Sequence, residues 1–419
     1  MTHDRCPLTG EGRNFTPMKI NDSLLVLMAW CGVTGLLAQT PAPPASAAWL
    51  ERSARMSREA EAKGLAEPFR GITAKGQVEP GLFPVRATGV TTEPVRAAAA
   101  AWLTLLSAEQ RKTAVFPVGD EEWRKWMNQH FYRRQGVSFQ AMDEAQRAAA
   151  FGLMKAALSA KGLTLAQDIM KLNHTLGELS GGDFVQYGEQ LYWITVMGEP
   201  SATQPWGFQV DGHHLILNYF VLGDQVVMSP AFYGSEPVVA PSGKYAGLAI
   251  LQKEQAMGFA LLQSLDAGQR AKAVLATAKP GNNALTEAFK DNVVLDYAGV
   301  RATELSAGQR EQLVALIGVF VANLADGQAK VKMAEVRAKL DATHFAWIGG
   351  TEAGGVFYFR IHSPVVLVEF DHQRPANLKH LAKDPQAPNR QHIHVVVRTP
   401  NGNDYGKDLL RQHLLAQPH

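Results

Sequence analysis

The strongest constraint on this chain is the separation of its strand-forming and helix-forming stretches. Residues 183–240 and 343–400 are rich in Trp, Tyr, Val, Ile and Gly. They read as strands, because β-branched and aromatic side chains suit a pleated, half-buried surface. Residues 96–180 and 244–340 read mainly as helix. The order helices, sheet, helices, sheet is an α+β pattern, unlike the strict alternation of a parallel βαβ fold. Two antiparallel β regions that join in one mixed core are expected.

One short motif recurs four times, at Leu106-Ser107 with Gln110-Arg111, Met142-Asp143 with Gln146-Arg147, Leu265-Asp266 with Gln269-Arg270, and Leu305-Ser306 with Gln309-Arg310. Each reads as a capping box. The Ser or Asp side chain accepts from an early helix amide, and the Gln three residues on reaches back. The motif therefore starts helices and carries no chemistry. Its grouping in two pairs suggests a duplicated helical unit ahead of each strand region.

The first 47 residues read as an address. Lys19 supplies a short positive segment, and residues 24–38 are apolar over the length of a signal-peptide core. Prolines 41, 43 and 44 and the run Ala45-Ser46-Ala47-Ala48 follow. Cleavage is expected after Ala47 or after Ala38, and Met18 is the expected start. The apolar run falls below the roughly 18 residues of a membrane span, so no stable span is expected after cleavage. Residues 48–95 read as an N-terminal arm with one helix from Trp49 to Lys63, and residues 96–415 as the main domain. Both cysteines, Cys6 and Cys31, leave with the presequence. An exported, periplasmic or secreted, thiol-free protein is the expectation. A net charge of +2 argues against a nucleic-acid partner. The aromatic-basic run Trp123, Trp126, His130, Tyr132, Arg133, Arg134 has the composition of a groove lining.

With thiols gone, any metal must be held by imidazole and carboxylate, so the histidines matter most. Of 13, eight lie at or after His344, and His213-His214 form an adjacent pair. His392 and His394 flank Ile393 ahead of a valine run, so they share one face of a strand. Paired imidazoles at that spacing suit a divalent metal. Glu369 and Asp371 share a face of the preceding strand, and an antiparallel pairing would set them beside the histidines. Two histidines and a carboxylate with open positions form a common catalytic set. Asp211-Gly212 favours a tight hairpin turn, which would point His213 and His214 to opposite faces, with His214 and Asn218 together. Tyr358 and Arg360 share a face suited to an anionic or carbonyl substrate.

These strand motifs resemble the family of proteins of unknown function catalogued as DUF3500. The resemblance rests on Trp206 through Leu215 with Asn218, His344-Phe-Ala-Trp, Phe357-Tyr-Phe-Arg360, Val368-Glu-Phe-Asp371, and His392-Ile-His394 through Asp404-Tyr-Gly-Lys-Asp-Leu-Leu. It covers roughly residues 95–415 and implies no settled activity. Gln209 stands where a basic residue is expected in relatives.

The residues thus point to an exported enzyme using one divalent metal, with zinc favoured and iron or copper as alternatives. His392, His394, Glu369 and Asp371 are the candidate ligands. His213, His214, Arg360 and Tyr358 are the candidate catalytic groups, with His213 or His214 completing the ligand set. Trp206, Asn218 and Arg398 are candidates for holding a small-molecule or peptide-like substrate. Hydrolysis is favoured over oxidation, because zinc needs no redox partner. The alternative is a non-catalytic periplasmic protein that binds a ligand or metal.

Overall fold

A computed structural model describes residues 46–416; the expected presequence falls almost wholly outside them. Among the described residues there are ten α-helices and twelve strands, an α+β fold. In chain order α1 is Ala47–Gly64, α2 Glu93–Leu105, α3 Ala108–Ala114, β1 Val115–Phe116, β2 Val137–Ser138, α4 Glu144–Ala157 and α5 Ala160–Leu179. Strands β3 Tyr192–Met197, β4 Trp206–Gly212, β5 Leu215–Leu222 and β6 Gln225–Ser235 follow. Then come α6 Gln252–Ser264, α7 Ala267–Ala273, β7 Val274–Ala276, β8 Val300–Arg301, α8 Ala307–Val321 and α9 Asp326–Ala338. The chain ends with β9 His344–Gly349, β10 Phe357–His362, β11 Leu367–His372, β12 Ile393–Arg398 and α10 Lys407–Ala416.

All twelve strands lie in one sheet, ordered β1-β3-β4-β5-β6-β12-β11-β10-β9-β7, with β2 on β3 and β8 on β9. The order is a palindrome. Each half has a short parallel edge strand, a meander of four antiparallel strands, and the same helices ahead of them. The halves join where β6 pairs antiparallel with β12. The duplicated helical unit read from the capping boxes is therefore a duplication of the whole fold unit.

Local chemistry repeats as well. All four capping boxes form. In each half the two capping glutamines also bond each other. Gln110 and Gln146 exchange amide bonds at 3.2 and 2.9 Å, and Gln269 and Gln309 do so at 3.0 and 2.8 Å. One residue type thus caps two helices and ties them together. Gly136 and Gly299, at φ 90 and 91, precede β2 and β8. A Cβ on Gly136 would lie 2.3 Å from the Ile194 carbonyl oxygen, and one on Gly299 2.0 Å from that of Phe345. Both glycines are required twice over, by conformation and by contact.

The two faces of the sheet differ. The helices cover one face, where Phe208, Val210, Phe357, Phe359, Val368, Phe370, Ile393 and Val395 form a continuous apolar core. Side chains alternate along a strand, so the neighbours of these residues face the other way. Gln209, Asp211, Tyr358, Arg360, His362, Glu369, Asp371, His394 and Arg398 are all buried on that second face. It is covered by the arm after α1, the irregular segment between β7 and β8, and α10. Residues 277–299 read as part of a helical region from sequence; they form turns instead, because their amides are claimed by carboxylates of the sheet.

Replacing either glycine by alanine forces a strained backbone against a fixed carbonyl. Gly136→Ala and Gly299→Ala are each expected to cost ~2 kcal/mol or more in urea unfolding, with similar losses in the two halves.

Candidate metal centre

The β6–β12 pairing sets His394 opposite Gly234, and the β5–β6 pairing sets Leu215 opposite Tyr233. The turn between β4 and β5 is thereby brought over the start of β12. Asp211-Gly212 was the expected turn. The strand instead continues through Gly212, whose missing Cβ makes room for the Tyr192 ring. The turn residues are His213 and His214 themselves, with His214 at φ 63. Its amide donates to the Asn128 carbonyl at 3.2 Å and its carbonyl accepts from Gly234 at 2.9 Å, which offsets the cost of a left-handed non-glycine residue. Because turn residues do not alternate, the two rings do not point to opposite faces. They stack at 4.0 Å with a 28° tilt.

His214 then meets the His-x-His pair. Its Nε2 lies 3.2 Å from that of His392 and 3.1 Å from that of His394, and the last two are 3.0 Å apart. All three side chains are buried. Their outer nitrogens decide their protonation. His392 Nδ1 lies 2.7 Å from the Arg374 carbonyl, which can only accept, so Nδ1 carries the proton. His394 Nδ1 lies 2.6 Å from a Glu287 carboxylate oxygen and donates likewise. In the neutral rings both Nε2 atoms therefore present bare lone pairs to each other. His214 contributes one proton to this cluster at most.

Burial holds His214 and His394 well below the ordinary histidine range, and the facing imidazoles push them further in that direction. His214 and His394 are thus held neutral, and the three Nε2 atoms turn toward a common point. Together the three can hold a metal ion. The dimensions fit. Nε2 separations of 3.0–3.2 Å would let His214, His392 and His394 hold one ion at ordinary nitrogen–metal distances. Such a site leaves a coordination position open on one side. The Nδ1 bonds to a carbonyl and a carboxylate are those that orient metal-bound histidines.

Glu369 and Asp371, expected as ligands, do other work. The antiparallel pairing expected for their strand is present, with Asp371 opposite His394. However, Glu369 accepts from the amides of Leu285 and Thr286 and from the hydroxyls of Thr286 and Tyr358. Asp371 accepts from the amides of Asn283 and Ala284 and pairs with the buried Lys279 at 2.7 Å. Burial raises Asp371 to about 6, against the pull of Lys279. The two carboxylates pin residues 283–286 to the sheet, and the next residue is Glu287. They act on the histidines through the loop they hold. Glu287 gave no signal in the sequence; its role rests on a contact with a residue far away along the chain.

The remaining candidates are placed as follows. Trp206 is fully buried in the helix-side core and donates to the Ser201 carbonyl. Asn218 is buried, bonded to Gln209 and to the Pro230 carbonyl. Arg398 is buried between Asp291 and Asp404 at 2.8 and 3.0 Å. Tyr358 gives its hydroxyl to Glu369, and Arg360 donates to the Asp296 carbonyl. Asn218, Arg398, Tyr358 and Arg360 belong to the framework of the polar face, and Trp206 to the opposite one. His213 bonds Asn173 at 2.8 Å and backs His214.

The duplication stops short of the chemistry. The second half's turn at residues 363–366 and strand β6 contain no histidine. One composite centre results, with His214 from the first half and His392 and His394 from the second.

Fold and site define a class: a duplicated α+β protein with a single three-histidine cluster on the polar face of its sheet. The chain belongs to the family described as protein of unknown function (DUF3500), whose profile matches residues 88–407. The match spans both halves. No curated protein and no solved structure matches the chain.

Two measurements check this description. Glu369→Ala strands buried amides and the Tyr358 hydroxyl, at about 1–3 kcal/mol for each unsatisfied group. It is expected to lower urea stability in metal-free protein. The second concerns pH. Burial lowers His130 to about 4 and His362 and His372 to about 3, besides His214 and His394. The unfolded chain takes up these protons near 6.5, so below that pH it binds more protons than the native state. The contribution of these histidines to metal-free stability is expected to be flat above pH 7 and to fall as pH drops from about 6.5 toward 4. Buried carboxyls raised to about 6 or about 7 oppose it. His362→Gln should therefore make the urea midpoint fall less steeply over that range than in the parent protein.

Proposed function

We propose that the protein is an exported metal-dependent enzyme, and that its His214–His392–His394 centre holds one divalent ion, zinc by preference, for hydrolysis. The observation that carries this reading is the convergence of three buried Nε2 atoms within 3.0–3.2 Å of one another. Without a cation, at least two lone pairs face each other away from water, an arrangement that costs stability. Three imidazoles plus one open position match the coordination of catalytic zinc, while a structural zinc site is closed by four protein ligands.

When bound, such an ion supplies a Lewis acid and lowers the pKa of a coordinated water. The protein's own groups do the rest. Arg374 and Glu287 fix the tautomers of His392 and His394. Asn128 and Gly234 fix the backbone of His214. Glu287 is 28% exposed at its side chain, so it links the buried centre to solvent, and burial raises its carboxyl to about 7 against the pull of His392.

Elemental analysis of the purified mature protein tests the reading. About one zinc per chain is expected, lost in the His392→Ala/His394→Ala double variant. Glu287→Gln should retain the ligands and weaken metal binding by about 10–100-fold, measured by competition with a chromophoric chelator. Absence of metal, or content unchanged in the double variant, contradicts the proposal. Stoichiometric iron or copper would move the chemistry to oxidation, since imidazole suits those ions too.

A further inference from the structure

The aromatic-basic run around His130–Arg134 lies against the back of the metal centre. Together with the start of α1 and the loop before β3 it encloses a cavity of about 290 Å³. Trp49, Trp193, Tyr132, His130, Arg133 and His213 are among its lining residues. Five of these six are flat rings. His213 is the link to the centre, because its ring lies 4.0 Å from that of His214. His130 stands edge-on to the same ring at 5.5 Å.

The side chains lining this cavity carry charge of one sign, with Glu61 and Asp183 behind them bonded to Tyr132 and Gln186. Two arginines line it and no Asp or Glu does. Arg134 is committed to the fold. It pairs with the buried Asp211 at 3.0 Å and donates to the carbonyls of Met127, Gln129 and Tyr132. Arg133 is exposed beside it, and among the described residues its backbone amide donates to Ser57 while its guanidinium has no partner. A cavity with ring walls and an exposed arginine in its lining selects for a flat ring bearing a negative charge. Stacking rewards the ring, and a charge-assisted bond rewards the anion.

We propose that this cavity binds a planar aromatic carboxylate and presents it on the His213 side of the three-histidine centre. As a substrate site the proposal rests on the metal-dependent reading above; as a binding site it stands alone. Trp49 closes the cavity from the start of α1, where its indole donates to Gln186 at 2.9 Å. The segment that follows the expected cleavage site thus forms part of the wall.

Calorimetric titration of the mature, metal-loaded protein with three probes tests this. Benzoate is flat and charged, benzamide flat and neutral, and cyclohexanecarboxylate charged and puckered. Benzoate is expected to bind one to one, about tenfold or more tighter than either comparison probe, a difference of about 1.4 kcal/mol. Arg133→Gln should weaken benzoate about tenfold and leave benzamide unchanged; Trp193→Leu should weaken both aromatic probes, with folding checked by circular dichroism. Absence of saturable benzoate binding, equal binding of the three probes, or benzoate binding untouched by both substitutions overturns the proposal. The same titration on the His392→Ala/His394→Ala protein separates the two readings. Benzoate binding retained there, with the metal gone, upholds the pocket independently of the centre.

Discussion

The pairing of β6 with β12 is the constraint on which everything else depends. It joins two copies of one fold unit into a continuous sheet and removes two edges that would otherwise be exposed. It also sets the geometry of the site. His394 faces Gly234, and the absence of a side chain at Gly234 is what lets the His214 ring approach; a Cβ there would lie 2.6 Å from the Ile393 carbonyl oxygen and 3.2 Å from the His214 ring. A shift of one residue in this register would turn His392 and His394 toward the helix-side core, where Ile393 and Val395 now pack. The register is held by that apolar face.

Part of the polar face offsets its burial cost through a connected set of charges, while both ring nitrogens of the buried His362 have no hydrogen-bond partner among the described residues. Arg398 is held between Asp291 and Asp404, and Arg124 also pairs with Asp291. Asp404 accepts from the Ser229 hydroxyl, and Tyr405 donates to Asp291. Removing one member of such a network leaves a buried charge without a partner, a loss of several kcal/mol. Charges that answer each other make a rigid floor. The three histidines stand apart from this pattern, since their inner nitrogens meet only one another.

Much of the fold was legible in the sequence, and for identifiable reasons. Strand regions announced themselves through Val, Ile and aromatic residues, helix starts through the four capping boxes, and the duplication through the pairing of those boxes. The family resemblance was legible from the same strand motifs. His392 and His394 were legible because alternation along a strand is a local rule. The position of the turn was not. Asp211-Gly212 has turn chemistry, yet Gly212 is demanded by the Tyr192 ring and Asp211 by Arg134, both distant along the chain. The roles of Glu369 and Asp371 were misjudged for a related reason: a carboxylate facing histidines on a neighbouring strand looks like a ligand until the loop that claims it is in place. Glu287 lay beyond local reasoning altogether, because its loop has no periodicity.

The central claim is that three imidazoles and no protein carboxylate hold one ion. X-ray absorption at the metal edge of the purified mature protein tests it most directly. The expected spectrum has three imidazole nitrogens, recognised by the outer-shell scattering of their rings, and one non-imidazole oxygen ligand at roughly 2.0–2.1 Å, with the same ligand set in Glu369→Gln. A metal-free protein, or a spectrum in which carboxylate oxygens replace the imidazoles, would contradict the account.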